Sequence, residues 1–171
     1  MVDKFYKEPR KRMRLEWYDY SMEGAYFITI CTLSRDLLFD FKPASDMVES
    51  YWNKIAIKFS DVSFDEFVIM PNHIHGILIV GADPCVGPST LQTVPSSCLA
   101  DLPRMVQWFK TMTTNAYLNG IKRDNWRPFN GKLWQRGYYE RIIRGEEEMN
   151  ALRKYIIENP KNWDKDEENI R

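Results

Sequence analysis

The sequence predicts an α+β fold, a mostly antiparallel sheet with packed helices. Three observations predict it. β-branched and aromatic runs alternate with segments of helical period. Their order along the chain is strand, helix, hairpin, helix, strand, helix. Two of the strands are joined tightly at Pro71-Asn72, and such an order builds layered α+β sandwiches.

Residues 25–33 (AYFITICTL) carry β-branched and aromatic side chains and predict a central strand. In 46–59, Val48, Tyr51, Trp52, Ile55 and Phe59 recur at helical spacing. Asp46 follows Pro43 and Ser45 and is the expected N-cap. Residues 62–70 (VSFDEFVIM) and 73–80 (HIHGILIV) predict the two strands of the hairpin. In 101–119, Leu102, Met105, Val106, Phe109, Met112, Ala116 and Tyr117 share one helical face, with Gly120 as the expected terminator. Residues 133–143 (LWQRGYYERII) predict a strand. Residues 146–159 predict a helix, begun by three glutamates that suit the helix dipole and ended by Pro160. The whole order matches a ferredoxin-like sandwich. The expected organisation is a basic N-terminal arm over 1–24, one domain over 25–160 and a short tail over 161–171. Within the domain, 81–97 holds three prolines and reads as a loop insert.

Composition narrows the function. The 171 residues suit one domain, and 44% hydrophobic content is too apolar for a disordered chain. No apolar run approaches the length of a membrane span. The basic start leads into no apolar stretch, so the expected location is the cytoplasm. Cys31, Cys85 and Cys98 form no C-x-x-C pair, so reduced thiols are expected rather than a zinc knuckle. With His73 and His75 the only histidines, a three-histidine zinc site is impossible. Phosphate-loop and dinucleotide glycine motifs are absent.

Charge is placed unevenly. Lys+Arg and Asp+Glu both number 24, so the formal net charge is zero. That total hides a cancellation: residues 1–14 carry net +4, 15–121 carry −6, 122–144 carry +5 and 145–171 carry −3. Both basic segments have aromatic neighbours: Tyr6, Trp17, Tyr18 and Tyr20 by the first, Trp126, Trp134, Tyr138 and Tyr139 in the second. Cations mixed with aromatics suit phosphate contact and base stacking, and they equally suit a solvated arm and a charged strand face.

His73-Ile74-His75 opens a strand, so alternation puts both imidazoles on one face. Two nitrogen donors that leave positions open for oxygen ligands suit a catalytic Mn²⁺ or Mg²⁺ better than closed structural zinc. In the last helix, Tyr155 and Asn159 are four residues apart and share a face flanking the stripe Met149, Leu152 and Ile156. By spacing alone, an edge tyrosine and a final-turn asparagine account for them better.

At these residues the chain resembles a known family. VIMPNHIHGILIV resembles the histidine-hydrophobic-histidine motif of the HUH single-strand DNA endonucleases. LWQRGYYERIIR with LRKYIIENP resembles the tyrosine region of the REP-associated tyrosine transposases, relatives of small insertion-sequence transposases. The opening RMRLEWYDYSMEGAYFITICTLSRD is similar too, so the likeness spans roughly residues 9–163. It implies His73 and His75 as metal ligands, Tyr155 as nucleophile and Asn159 as the polar residue completing the metal site. Tyr138 and Tyr139 are the rivals for the nucleophile. The implied fold is the HUH endonuclease sandwich.

The implied activity is metal-dependent cleavage and joining of single-stranded DNA beside hairpins, through a 5′-phosphotyrosine intermediate. A protonated phenol, with an ordinary pKa of about 10, is a poor nucleophile, so the site must activate or position it. Arg10, Lys11, Arg12 and Arg14 are expected to hold the hairpin. Lys122, Arg123, Arg127, Arg136, Arg141 and Arg144 are expected to line the strand path. Alternation would put Arg136 and Tyr138 on one strand face and Tyr139 and Arg141 on the other, unless a bulge at Gly137 rotates them. A monomer and a homodimer are both compatible with the family. Because imidazole binds metal only when neutral, activity is expected to fall below about pH 6. The alternative function is a non-catalytic nucleic-acid-binding module on a ferredoxin-like sheet. A further one is a metal-dependent hydrolase of small phosphate esters with no covalent step.

Overall fold

The computed structural model describes residues 24–59, 61–81, 101–166 and 168–169. The basic arm with Arg10, Lys11, Arg12 and Arg14, and all but the first residue of the 81–97 insert, lie outside these.

The described strands are β1 (Gly24–Cys31), β2 (Val62–Met70), β3 (His73–Val80) and β4 (Tyr139–Ile143). They form a four-stranded sheet in the order β2-β3-β1-β4, with every neighbouring pair antiparallel. The helices are α1 (Lys42–Lys58), α2 (Leu102–Asp124) and α3 (Glu146–Glu158). The fold class is the expected α+β sandwich.

Alternation along β1 and β3 divides the core. Tyr26, Ile28, Ile30, Ile74 and Leu78 face α1 and α2, where Trp52, Ile55, Met105, Phe109 and Tyr117 close over them. Phe27 and Ile77 face the other way and pack with Ile143 and with Ile156 of α3. The sheet thus has a thick apolar layer on one face. The opposite face carries a thin apolar seam, and beside it the β3 positions occupied by the histidines. Gly76 lets the thick layer close down, since a Cβ there would lie 2.4 Å from the Trp52 ring.

The structure moves several expected boundaries. Helix α1 starts at Lys42, after Phe41, not at an Asp46 cap. Pro43 presets the backbone of the first turn. Asp46 lies inside the helix and accepts a 2.8 Å hydrogen bond from Lys42 Nζ. Helix α2 runs past Gly120 and stops at left-handed Asn125 (φ 54°). Gly120 has a packing role instead: a Cβ would sit 2.3 Å from the Trp126 indole, which folds back over the helix. After α3 ends at Glu158, the chain continues through Pro160 as a 3-10 helix, Asn159–Lys165.

The strand expected over 133–143 is paired as a strand only at Tyr139–Ile143, with an isolated Thr32–Trp134 bridge before it. The cause is Lys110 of α2. Its half-buried side chain donates to the carbonyls of Gln135 (3.0 Å), Arg136 (3.4 Å) and Gly137 (2.8 Å), drawing them away from a sheet ladder. Burial pulls the Lys110 pKa down to about 8. Trp134 is buried against α2, where its Nε1 donates to Thr113 Oγ1 at 2.8 Å.

Gly76→Ala should destabilise the protein by about 1–3 kcal/mol through overpacking against Trp52. A urea midpoint equal to that of the parent would show that the indole can step aside.

Candidate active site

The register of β1 against β3 builds the floor of the site. Cys31 pairs with His73, Thr29 with His75 and Phe27 with Ile77, so these side chains share the face covered by α3. His73 and His75 are buried, and their Nε2 atoms lie 2.9 Å apart. The other nitrogen of each ring has its own partner: His75 Nδ1 is 2.8 Å from Thr29 Oγ1, and His73 Nδ1 is 2.7 Å from Asn72 Oδ1. Phe27 stacks on His75 with ring centroids 5.4 Å apart.

Helix α3 brings Tyr155 to the rim. Its hydroxyl is 3.4 Å from His75 Nε2, and the side chain is 45% exposed, so the phenol meets both imidazole and solvent. Two residues earlier, Arg153 ties α3 to β2. Its Nε donates to Asp65 Oδ1 at 2.8 Å and its Nη2 to Asp65 Oδ2 at 2.7 Å. This fork lowers the Asp65 pKa. Asp65 lies where the β2–β3 register shifts between Phe64 and Phe67, a bulge that re-aims a side chain.

Asn159 is buried one turn beyond Tyr155. The residues after it, which the sequence reads as a tail, pack beside the histidines. Asp166 Oδ2 is 3.7 Å from His73 Nε2, and His73, His75 and Asp166 each offer a ligand atom, all within 4.8 Å of one another. Trp163 lies 6.0 Å from His73, ring centre to ring centre. Glu168 pairs with Arg35, and its carbonyl accepts from Asn72 Nδ2 at 2.8 Å. Ser34 and Arg35, both left-handed (φ 60° and 61°), deliver that arginine. Such strain in non-glycine residues clusters at functional sites.

The donor set fits a divalent ion. Two imidazole nitrogens 2.9 Å apart can occupy adjacent positions on one ion at ligand distances of about 2.0–2.2 Å. Asn159 Oδ1 and Asp166 Oδ2 are buried oxygens that accept no hydrogen bond within normal reach, while the Asn159 amide lies close enough to the Asp166 carboxylate to lower its pKa. Nitrogen and oxygen donors together suit Mn²⁺ or Mg²⁺.

Burial, before any other cause, lowers both histidine pKa values to about 3; nearby Arg35 adds to this at His73, and His73 adds to it at His75. The rings therefore stay neutral well below the pH 6 limit expected from the sequence. Burial also raises the Asp166 pKa.

The basic residues are more scattered than expected. Arg141 pairs across the sheet with Phe27, on the histidine face, and bridges to Glu148 at 2.5 Å. Arg136 instead lines an open groove of about 390 Å³ with Lys110, Arg104 and Tyr138, beside α2. Tyr139 pairs with Thr29 on the histidine face, and Tyr138 packs into the α1–α2 core. No bulge brings the two sets together. Arg127 is held by the Leu37 carbonyl at 2.7 Å and by Asp40. Lys122 and Arg123 end α2, and Arg144 follows β4.

Sequence reasoning missed Asn72, Arg35, Thr29 and Asp166. Asn72 had a signal, its place beside His73, but it was read only as turn chemistry. Asp166 sits in an acidic run with no period and carries no signal of its own.

The sheet order, the helices on both faces and the paired imidazoles under a tyrosine helix define a sandwich of the HUH type. The chain belongs to the IS200-like transposase family, whose model matches residues 21–159. The expected likeness to REP-associated tyrosine transposases holds in the fold. One such enzyme, solved bound to a REP hairpin, superposes with a TM-score of 0.58 at 18% identity, covering 88% of this chain and 74% of that one. A candidate transposase of Deinococcus radiodurans R1 gives a TM-score of 0.48 at 19% identity, covering 85% and 97%. A Haemophilus influenzae protein described as uncharacterized is 32% identical over 92% of both chains. Among the described residues no helix is long and apolar enough to cross a membrane.

The histidine shifts set a pH dependence of stability. The unfolded rings protonate near pH 6.5 and the folded ones near 3, so stability is lost as pH falls between those values. At pH 5 the loss is about 2 kcal/mol for each ring. Urea titrations at pH 7 and pH 5 should show it, and His75→Gln should roughly halve the difference. Equal stability at both pH values would refute the shifts.

Proposed function

We propose that the protein is a metal-dependent endonuclease and strand transferase for single-stranded DNA, acting through a 5′-phosphotyrosine intermediate. The observation that carries this is the Tyr155 hydroxyl, 3.4 Å from His75 Nε2 on the rim of a buried two-imidazole site. Family membership supports it, and the relative solved on a REP hairpin supports hairpin DNA as the partner. The working location is the cytoplasm, as a monomer or homodimer.

His73 and His75, with Asn159 beside them, would hold the divalent ion. When bound, the ion supplies positive charge against the scissile phosphate and its transition state. Tyr155 attacks phosphorus. Its oxygen forms the new P–O bond, the bond to the 3′ oxygen breaks, and the phenolic proton balances the 3′-hydroxyl released. No water is consumed, so the 3′-hydroxyl of the same or another strand can reverse the step and join. The Arg153–Asp65 fork fixes the rotation of α3 and hence the approach of Tyr155. Exposed Tyr139 and Arg141 flank the histidine face, where an unpaired base and its phosphate would lie.

The test is a denaturing gel of labelled hairpin DNA with a single-stranded flank, incubated with Mn²⁺. A covalent adduct should form with the parent protein, vanish with chelator and vanish in Tyr155→Phe. That variant should bind the DNA with affinity within about threefold of the parent, since it removes one hydroxyl from the rim. An adduct that survives Tyr155→Phe and is lost in a Tyr138 or Tyr139 variant would reassign the nucleophile. DNA binding indifferent to chelator, with no adduct, would favour the non-catalytic module.

A further inference from the structure

Asn72 is fully buried in the turn between β2 and β3. Its Nδ2 donates to the carbonyls of Arg35 (3.3 Å) and Glu168 (2.8 Å). Carbonyls only accept, so the amide has one orientation, with Oδ1 toward His73 Nδ1 at 2.7 Å. That oxygen also only accepts, so the His73 proton sits on Nδ1. A neutral His73 ring then presents a bare lone pair at Nε2.

This lone pair faces His75 Nε2 at 2.9 Å and Asp166 Oδ2 at 3.7 Å. His75 can offer one N–H to it and nothing to the carboxylate. Asn159 Oδ1 and Asp166 Oδ2 accept no hydrogen bond, and the neighbouring Asn159 amide only partly offsets the burial that raises the Asp166 pKa. Unsatisfied buried acceptors around a lone pair are costly, and a cation between them removes the cost.

We infer that Asp166 joins His73, His75 and Asn159 as a protein ligand of the ion, which makes residues 159–166 a latch closed by metal. This deepens the proposed metal site and rests on it. The latch is held from outside by the Arg35–Glu168 ion pair and by Asn72, the residue that also sets the His73 tautomer. Asn72 is therefore a positioning residue for both halves of the site. Coupling of this kind is reciprocal: order in the segment strengthens metal binding, and metal strengthens the order by the same factor.

The test compares the parent protein, Asp166→Asn and His73→Gln, each stripped of metal and titrated with Mn²⁺ by calorimetry. Hydrogen exchange over 159–166 is followed with and without Mn²⁺. Asp166→Asn should weaken Mn²⁺ binding by roughly tenfold or more. It should also abolish the metal-induced protection seen in the parent. Without metal it should melt no lower than the parent, because the new amide can donate to His73 Nε2, and this separates ligand loss from misfolding. If Asp166→Asn binds Mn²⁺ like the parent while His73→Gln does not, the latch is wrong and the histidine site stands. If the parent binds no Mn²⁺, both fall.

Discussion

Two buried imidazole nitrogens held 2.9 Å apart are the constraint on which this structure turns. Neutral rings tolerate the burial, because desolvation opposes their protonation. Lone pairs in such a place still need a cation or a proton between them. The surrounding structure is arranged to meet that need. The β1–β3 register brings Thr29 under His75, and the tight turn brings Asn72 beside His73. The left-handed pair Ser34–Arg35 brings an arginine to the segment that carries Asp166. The Asn72 contact fixes which nitrogen of His73 holds the proton, and so where its lone pair points.

The two faces of the sheet divide the labour. On one, α1 and α2 bury Trp52, Phe109 and Tyr117 in a continuous aromatic and aliphatic layer that holds β1 and β3 rigid. On the other, a small cluster of Phe27, Ile77, Ile143 and Ile156 seats α3, and polar groups do the rest. Rigidity on one side is what lets the other hold buried polar groups to a fixed geometry. A ligand set supported only by loops would drift by more than the tolerance of a metal site.

Much of this was legible in the sequence where a physical period existed. The strand period of two put His73 and His75 on one face, and the helical period put Tyr155 and Asn159 beside the apolar stripe. Local chemistry misled where a tertiary contact overrode it. Gly120 looks like a helix end and is a seat for Trp126. Asp46 looks like a cap and lies inside a helix that Pro43 starts earlier. Residues 135–137 read as strand until the ammonium of Lys110 claims their carbonyls. Asp166 was invisible for a different reason. An acidic run has the composition of a solvated tail, and only the fold shows that one of its carboxylates is buried. The expected acid limit moved for the same reason: the sequence gives an imidazole its ordinary pKa, and burial changes it.

The thin seam under α3 has a mechanical meaning. Only Ile156 of that helix is fully buried, so α3 rests on far less apolar contact than α1 or α2. Elements with few buried contacts open at a free energy well below that of global unfolding. In a phosphotyrosine enzyme the nucleophile becomes the handle by which a cleaved strand end is carried. In the proposed mechanism that handle is Tyr155, on a helix tied to the sheet by the Arg153–Asp65 fork and the Arg141–Glu148 pair, while His73 and His75 belong to the sheet itself. An arm that swung with its cargo would leave the two histidines in place and draw Asn159, the residue after α3, away from them.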